Sequence, residues 1–440
     1  MSDLPVVVVG AGPVGLAAAA ELAGRGQTVL VFERGAHAGA AVAQWHHVRL
    51  FSKWSQLVAP AARRLLEPRG WRAPAGYPTG EEWARLYLRP LAEALGDRVR
   101  FGAEVVGVAR RDRDRVVDAG RDSEPFTVHV RASDGREERI TARAVIDASG
   151  TWSVPNPLGG DGLPAIGEAA ASDRIGYRVP NLTDAEVAAR YAGKHVVIAG
   201  SGHSALTALV AFAGLESPAR ITWLLRRGAA GTVFGGGDAD QLPARGALGM
   251  RAKAAVEAGR VQVVTGFRTD EVERAHDGRL VLRSSAGQRL DAVDEVVVLT
   301  GFRPDLAWLS EVRLELDATL QAPVALAPLI DPNVHSCGTV YPHGVKELSH
   351  PEEGFHLAGM KSYGRAPTFL ALTGYEQVRS IAAAIAGDLE SAGRVELTLP
   401  ETGVCGGSGV FDVSTEEVSS GCCGIPANSE PLTLSAPPSR

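Results

Sequence analysis

Two stretches of the chain share one hydrophobic layout. Pro5 to Arg34, PVVVVGAGPVGLAAAAELAGRGQTVLVFER, opens on four valines, passes a glycine-rich turn, continues through an alanine-rich segment and enters the apolar run TVLVFE. His195 to Arg227, HVVIAGSGHSALTALVAFAGLESPARITWLLRR, repeats the order. Continuous β-branched runs are the pattern of strands buried on both faces, so each stretch predicts a βαβ unit of about thirty residues. Between them the pattern turns to alternation. RFGAEVVGVARR and FTVHVRASDGREERITA predict short strands with Asp134-Gly135 as a hairpin turn, and AVIDASG, ending at Gly150, predicts a buried strand returning to the first sheet. After the second unit come VQVV (Val261 to Val264), a charged hairpin around Asp277-Gly278, DEVVVLTGFRPD (Asp294 to Asp305) and GFHLAGM (Gly354 to Met360). A helix follows from about Thr368 to Ala386. From Leu397 onward the periodicity fades into an extended tail.

The turns carry the chemistry. Gly10, Gly12 and Gly15 form G-x-G-x-x-G directly after a strand and at the start of a helix. Such glycines permit a tight turn and let backbone N–H groups approach a pyrophosphate at the helix N-terminus. Glu33, 23 residues after Gly10, closes the next strand, where a carboxylate accepts from ribose hydroxyls. Gly200, Gly202 and Ala205 repeat the motif as G-x-G-x-x-A, but the next strand ends in Arg226 and Arg227. A guanidinium fork there pairs with a 2′-phosphate, which points to NADPH over NADH. Two dinucleotide sites in one chain imply an electron relay from NADPH to FAD.

The expected fold is therefore α/β, with two Rossmann-like dinucleotide-binding domains of three-layer ββα type. The second is inserted in the first. The expected boundaries are 1–160 and 306–396 for the FAD domain, 161–305 for the NADPH domain and 397–440 for a flexible, cysteine-containing tail. Composition agrees with a globular protein: 440 residues, 45% hydrophobic and 22% charged. The net charge of −6 gives no footprint for nucleic acid, and the run RRDRDR (Arg110 to Arg115) reads as a solvated loop. The apolar N-terminus is interrupted by glycine, shorter than a span of about 20 residues and preceded by Asp3 rather than a basic segment. Neither a signal peptide nor membrane contact is expected. Four cysteines in no even framework place the chain in the cytoplasm.

The paired glycine units, VIDASG before the second domain and VVVLTGFRPD after it resemble the two-dinucleotide-domain flavoproteins, which include the thioredoxin and glutathione reductases and the flavin-containing monooxygenases. The likeness runs from about residue 5 to 390. It implies FAD at Gly10, Gly12, Pro13, Gly15, Glu33 and Arg34, with Trp45 and Gly150 beside it. Gly359, Met360 and Thr368 would lie along the isoalloxazine. It also implies NADPH at Gly200, Gly202, Ala205, Arg226 and Arg227. The disulfide reductases keep a cysteine pair after the first βαβ unit or a CxxC in the NADPH domain; residues 35–300 contain no cysteine. QWHHVRLFSKW (Gln44 to Trp54) and YPTGEEWARLYLRPLAEAL (Tyr77 to Leu95) resemble segments of the monooxygenase branch instead. That branch's F-x-G-x-x-x-H fingerprint is missing, replaced by AAASDRIGYRVPNLTDAEVAARYAG. Asp331 to Val378 is similar to a bacterial subgroup associated with arsenic resistance, which would set Cys337, His343, Lys361, Tyr363 and Arg365 toward the substrate side of the flavin. His46 and His47 are candidate acid/base groups against a packing role, and His203 is a helix-start residue near the pyrophosphate.

The tail holds Cys405, Cys422 and Cys423. Adjacent thiols do not readily close on one another, but they present two soft ligands to one thiophilic centre. With Cys337 they form the expected substrate contact, the substrate being a trivalent arsenical oxidised with O2. The same pair also fits an NADPH-dependent thiol or metal reductase. No metal cofactor and no side-chain nucleophile is expected. A second copy of the chain and a separate flavin reductase both stay open as partners.

Overall fold

The valine run becomes the strand Val6–Val9, buried at every position. It sits third in a five-stranded sheet ordered Phe355–Leu357, Ala144–Asp147, Val6–Val9, Val29–Glu33, Val99–Phe101, with every pairing parallel. The second sheet is built the same way, ordered Val261–Val264, Arg220–Leu224, His195–Ala199, Glu295–Val298, Ile175–Gly176, again all parallel. Its strands lie in sequence between Ala144–Asp147 and Phe355–Leu357, so the second domain is inserted in the first. The computed structural model describes residues 3–215, 220–240, 242–333, 343–367 and 369–396.

Each sheet is the middle of three layers. On one face of the first lie the helices Pro13–Gly24 and Ala371–Ile385, with Leu16, Ala17, Leu22, Val378 and Ile381 in one core. Alanine along the first helix lets it lie close to the sheet, and burying Leu16 and Leu22 contributes about 1.5–3 kcal/mol each. The opposite face is covered by the antiparallel meander Ala103–Arg110, Phe126–Ala132, Glu137–Ala142. In the second domain the helices His203–Ala213 and Pro243–Glu257 and the meander Thr269–Arg274, Leu280–Ser284, Arg289–Val293 take the same places. The run RFGAEVVGVARR is two strands: Gly102, at φ +61°, breaks it so that Val99–Phe101 joins the parallel sheet and Ala103–Arg110 the meander. The C-terminal helix begins at Ala371, and Thr368 lies outside the described residues.

Two crossings join the domains, and they run side by side. Pro155 bridges Phe302, Asn156 N–H donates to Gly301 O at 2.9 Å, and Arg303 N–H donates to Val154 O at 2.8 Å. The first meander is tied to the returning chain by buried Glu352, which accepts from Arg110 Nε at 2.7 Å, Arg121 Nη2 at 2.6 Å and Arg313 N–H at 3.1 Å. Burial alone would raise this carboxyl, but the bonds from Arg121 and Arg110 hold it below the ordinary range.

Candidate active site

The first glycine loop is assembled from four segments. Gly10 turns at φ +98°, and a Cβ there would sit 2.9 Å from Ala148 O and 3.1 Å from Ser149 Cα. A Cβ on Gly15 would come within 1.9 Å of Gly10 O, so helix and turn touch directly. Gly12 differs: a Cβ there meets nothing within 4 Å. The backbone at Gly12 thus borders open space at the start of the helix, where Pro13 occupies the first turn. Glu33 braces this loop, its carboxylate accepting from Ala11 N–H at 2.8 Å and Gly35 N–H at 2.7 Å. A carboxylate has about four lone-pair sites, which leaves acceptor capacity for ribose hydroxyls. Arg34 is exposed beside it.

Gly359 completes the cradle. It turns at φ +71°, a Cβ there would lie 3.2 Å from Val14 Cγ2, and its N–H donates to Gln377 Oε1 at 2.7 Å. Met360, next in the chain, is 36% exposed, and Gly150, at φ +70°, faces open space. The structure therefore brings Gly10, Gly12, Pro13, Gly15, Glu33, Gly150 and Gly359 together. Trp45 stands further out, half-buried against Trp83 at 6.4 Å, two residues beyond a short helix whose leading Gly39 N–H binds Ala11 O at 2.9 Å.

The second cradle has the same plan. Gly200 turns at φ +129°, and a Cβ there would lie 2.3 Å from Leu299 O; Gly202 borders open space and Ala205 is fully buried. Ala199 pairs with Leu224 as Val9 pairs with Phe32, so the position of Glu33 is held by Leu225. Arg226 and Arg227 fall past the strand end: Arg226 Nη1 reaches Gly160 O at 3.2 Å, and Arg227 is half-buried. His203 opens the helix, its imidazole pushed down to about 4 by burial and then by Arg245.

Between the cradles lies an aromatic seam that sequence reasoning missed. Trp152, on the first crossing, packs on Phe302 of the second at 4.6 Å, lies under the Arg178 guanidinium at 5.1 Å and donates to Gln44 Oε1 at 2.9 Å. Phe51 lies 5.2 Å from the His203 ring, and His46 Nε2 is 3.4 Å from Asn181 Nδ2. The only sequence signal was position: Trp152 directly follows VIDASG and Phe302 sits inside TGFRPD. His47 is half-buried, and its pKa is lowered by burial and then by His46.

Four of the residues expected toward the substrate side are described, His343, Lys361, Tyr363 and Arg365. Lys361 is fully buried, paired with Asp147 at 2.6 Å. Tyr363 is buried against Phe369 and His343, and Arg365 is exposed with its Nε on Gln321 Oε1 at 2.9 Å. Lys361 and Tyr363 lie with Gly359 and Ser362 on the buried positions of the short helix Gly359–Tyr363. His343 is buried, 2.8 Å from Gln377 Nε2. Cys337, Cys405, Cys422 and Cys423 lie outside the described residues. Among the described residues no group of His, Cys, Asp or Glu side chains is placed to hold a metal ion, and no helix is long and apolar enough to cross a membrane.

The family model for pyridine nucleotide-disulphide oxidoreductases matches residues 4–350. The chain belongs to that family. It is a flavoprotein oxidoreductase whose cofactors are FAD and a nicotinamide dinucleotide, and the two open glycine cradles fit such groups. Among solved structures, the bacillithiol disulfide reductase of Bacillus cereus superposes with a TM-score of 0.65 at 21% identity, covering 87% of this chain and 99% of that one. The FAD-bound cadaverine monooxygenase DfoA of Erwinia amylovora gives 0.62 at 13% identity, covering 98% and 100%. The family's fold thus serves both reductases and monooxygenases. An indole-3-pyruvate monooxygenase of Oryza sativa subsp. japonica is 30% identical over 202 residues, 46% of this chain; the match spans 43% of the plant protein.

Proposed function

We propose that the chain is an NADPH- and O2-dependent monooxygenase that transfers one oxygen atom to a soft centre, with trivalent arsenicals, methylated ones included, as the substrate class. The observation that carries this reading is two open dinucleotide cradles, whose domains touch through Phe51 on His203 and Trp152 on Phe302, in a chain with no cysteine before Cys337. Without a dithiol on either segment where the family's reductases keep one, electrons leave the flavin toward oxygen or a bound acceptor. The balance is two electrons from NADPH and one proton, one oxygen atom added at the arsenic lone pair and the other released as water.

The oxygen-activating chemistry belongs to the flavin; the chain supplies binding, orientation and exclusion of water. The Gly10–Gly15 loop would hold the FAD pyrophosphate, Glu33 the ribose, and Gly359 and Met360 the ring side. Gly200, Gly202 and Ala205 would hold NADPH, with Arg226 and Arg227 on its 2′-phosphate. Trp152 and Phe302 would close the seam to water. Cys422 and Cys423, aided by Cys405 and Cys337, would capture the arsenical as a thiolate complex. Turnover of methylarsenite by the Cys422→Ser, Cys423→Ser double variant tests the capture step. Loss of saturation at low arsenical is expected; unchanged turnover would remove the tail from the reaction.

The likeness to a disulfide reductase supports a second reading, an NADPH-dependent thiol or metal reductase working through the same tail cysteines. It predicts NADPH consumption without O2 when a disulfide or mercuric ion is supplied, which the oxygenase reading does not.

A further inference from the structure

A buried charge pair stands beneath the first cradle. Lys361 Nζ lies 2.6 Å from Asp147 Oδ2 with both side chains at 0% exposure. The ammonium has three N–H donors, and its surroundings engage it from three directions: Asp147, Ser149 Oγ at 3.1 Å, and the face of Trp308 at 4.6 Å. Asp147 reaches the neighbouring backbone as well, while its Oδ2 has the ion pair with Lys361 as its contact. Its Oδ1 accepts Ser149 N–H at 3.0 Å, and its main-chain O accepts Ala358 N–H at 2.9 Å.

Stability alone does not account for such a pair. Taking two charges out of water costs several kcal/mol per ion, and apolar residues of like volume often serve as well or better. What an apolar pair would lack is the grip on Ser149, which Asp147 holds by its N–H and Lys361 by its hydroxyl. Ser149 belongs to the Ala148–Gly150 turn, the wall against which Gly10 packs with no room for a Cβ.

We propose that Lys361 is a positioning residue of the FAD site, fixing with Asp147 and through Ser149 the turn that closes on the first glycine loop. Trp308 places the second domain crossing over the same ammonium, so one buried group ties together three segments: the end of Ala144–Asp147, the turn after Phe355–Leu357 and the chain returning from the nicotinamide domain.

The test is the release rate of FAD from purified holoenzyme, read as the rise of free-flavin fluorescence, in Ser149→Ala and in the double variant Asp147→Asn, Lys361→Met. The double variant leaves no unpaired buried charge, so its folding does not depend on the pair. Both should release FAD at least about tenfold faster, with NADPH affinity within about twofold of the parent. Unchanged release in both would make the pair an ordinary structural one. A rise in the double variant alone would overturn the route through the Ser149 hydroxyl, and a rise in Ser149→Ala alone the role of Lys361. Faster release with an equal loss of NADPH affinity would mean general loosening of the chain, and the proposal would fall.

Discussion

Gly12 and Gly15 stand three residues apart in one motif, yet the structure assigns them opposite sensitivities. A methyl at Gly15 would sit 1.9 Å from Gly10 O, against a relaxed contact of about 3.5 Å. Backbone must therefore move by about 1.5 Å on one side of the turn. Overpacking of this kind costs about 1–3 kcal/mol, and the gain in helix propensity of about 1 kcal/mol from Gly to Ala offsets only part of it. Gly15→Ala should lower the stability of the FAD-free protein by up to about 2 kcal/mol. At Gly12 the backbone, φ −80° and ψ −175°, suits alanine, and the methyl enters open space. Its cost in the FAD-free protein is the weaker N-cap, under about 1 kcal/mol. The same methyl occupies the gap between the loop N–H groups and a bound pyrophosphate. Losing one charge-assisted bond there removes about 1.5–3 kcal/mol, a fall in FAD affinity of about 10- to 150-fold. Denaturant unfolding of the FAD-free variants and FAD titration by fluorescence quenching separate the two. The reasoning is refuted if Gly12→Ala binds FAD like the parent, or if Gly15→Ala is no less stable than Gly12→Ala.

Other consequences are as direct. Replacing Arg226 and Arg227 together by alanine should raise KM for NADPH about 10- to 100-fold and leave that for NADH unchanged, checked by steady-state kinetics with each donor. Glu352→Gln leaves Arg110 and Arg121 buried without their carboxylate, and urea unfolding should show a loss of about 3–5 kcal/mol. His203, His350 and His356 are each held at about 4, chiefly by burial. Because their folded pKa values lie below the unfolded 6.5, the unfolded chain binds the extra protons. The stability they carry is complete above pH 6.5 and lost as pH falls toward 4, by about 2 kcal/mol for each group at pH 5. Thermal unfolding between pH 7 and 4.5 should show this slope, and a flat profile would contradict the burial of these rings.

Those parts of the fold and site that depend on local backbone were legible in the sequence. The two glycine turns need close approach, and only particular residues permit it, so Gly10, Gly15, Gly200 and Ala205 announce themselves. Strands buried on both faces show as valine runs. What depends on register or on distant partners did not show. The spacing located the arginines of the second unit but not that Leu225 holds the place of Glu33, since pairing with His195–Ala199 fixes that position. Nor did any local signal show that Lys361 reaches Ser149, 212 residues away. Gly102 looked like a residue inside one strand, and its positive φ makes it the boundary between two layers. The seam of Trp152 and Phe302 arises only when the two domain crossings lie side by side.

In the proposed reaction, electrons from NADPH leave this protein on oxygen, which is then placed on the substrate. The direct measurement is NADPH oxidation by purified holoenzyme with and without methylarsenite, in air and under anaerobic conditions, with peroxide and pentavalent product quantified and 18O2 as the oxygen source. Methylarsenite should accelerate NADPH oxidation only in air, with one labelled oxygen in each product molecule per NADPH consumed. Arsenical-independent consumption ending in peroxide would contradict the substrate. Consumption that proceeds without O2 on a disulfide or mercuric ion would contradict the monooxygenase itself.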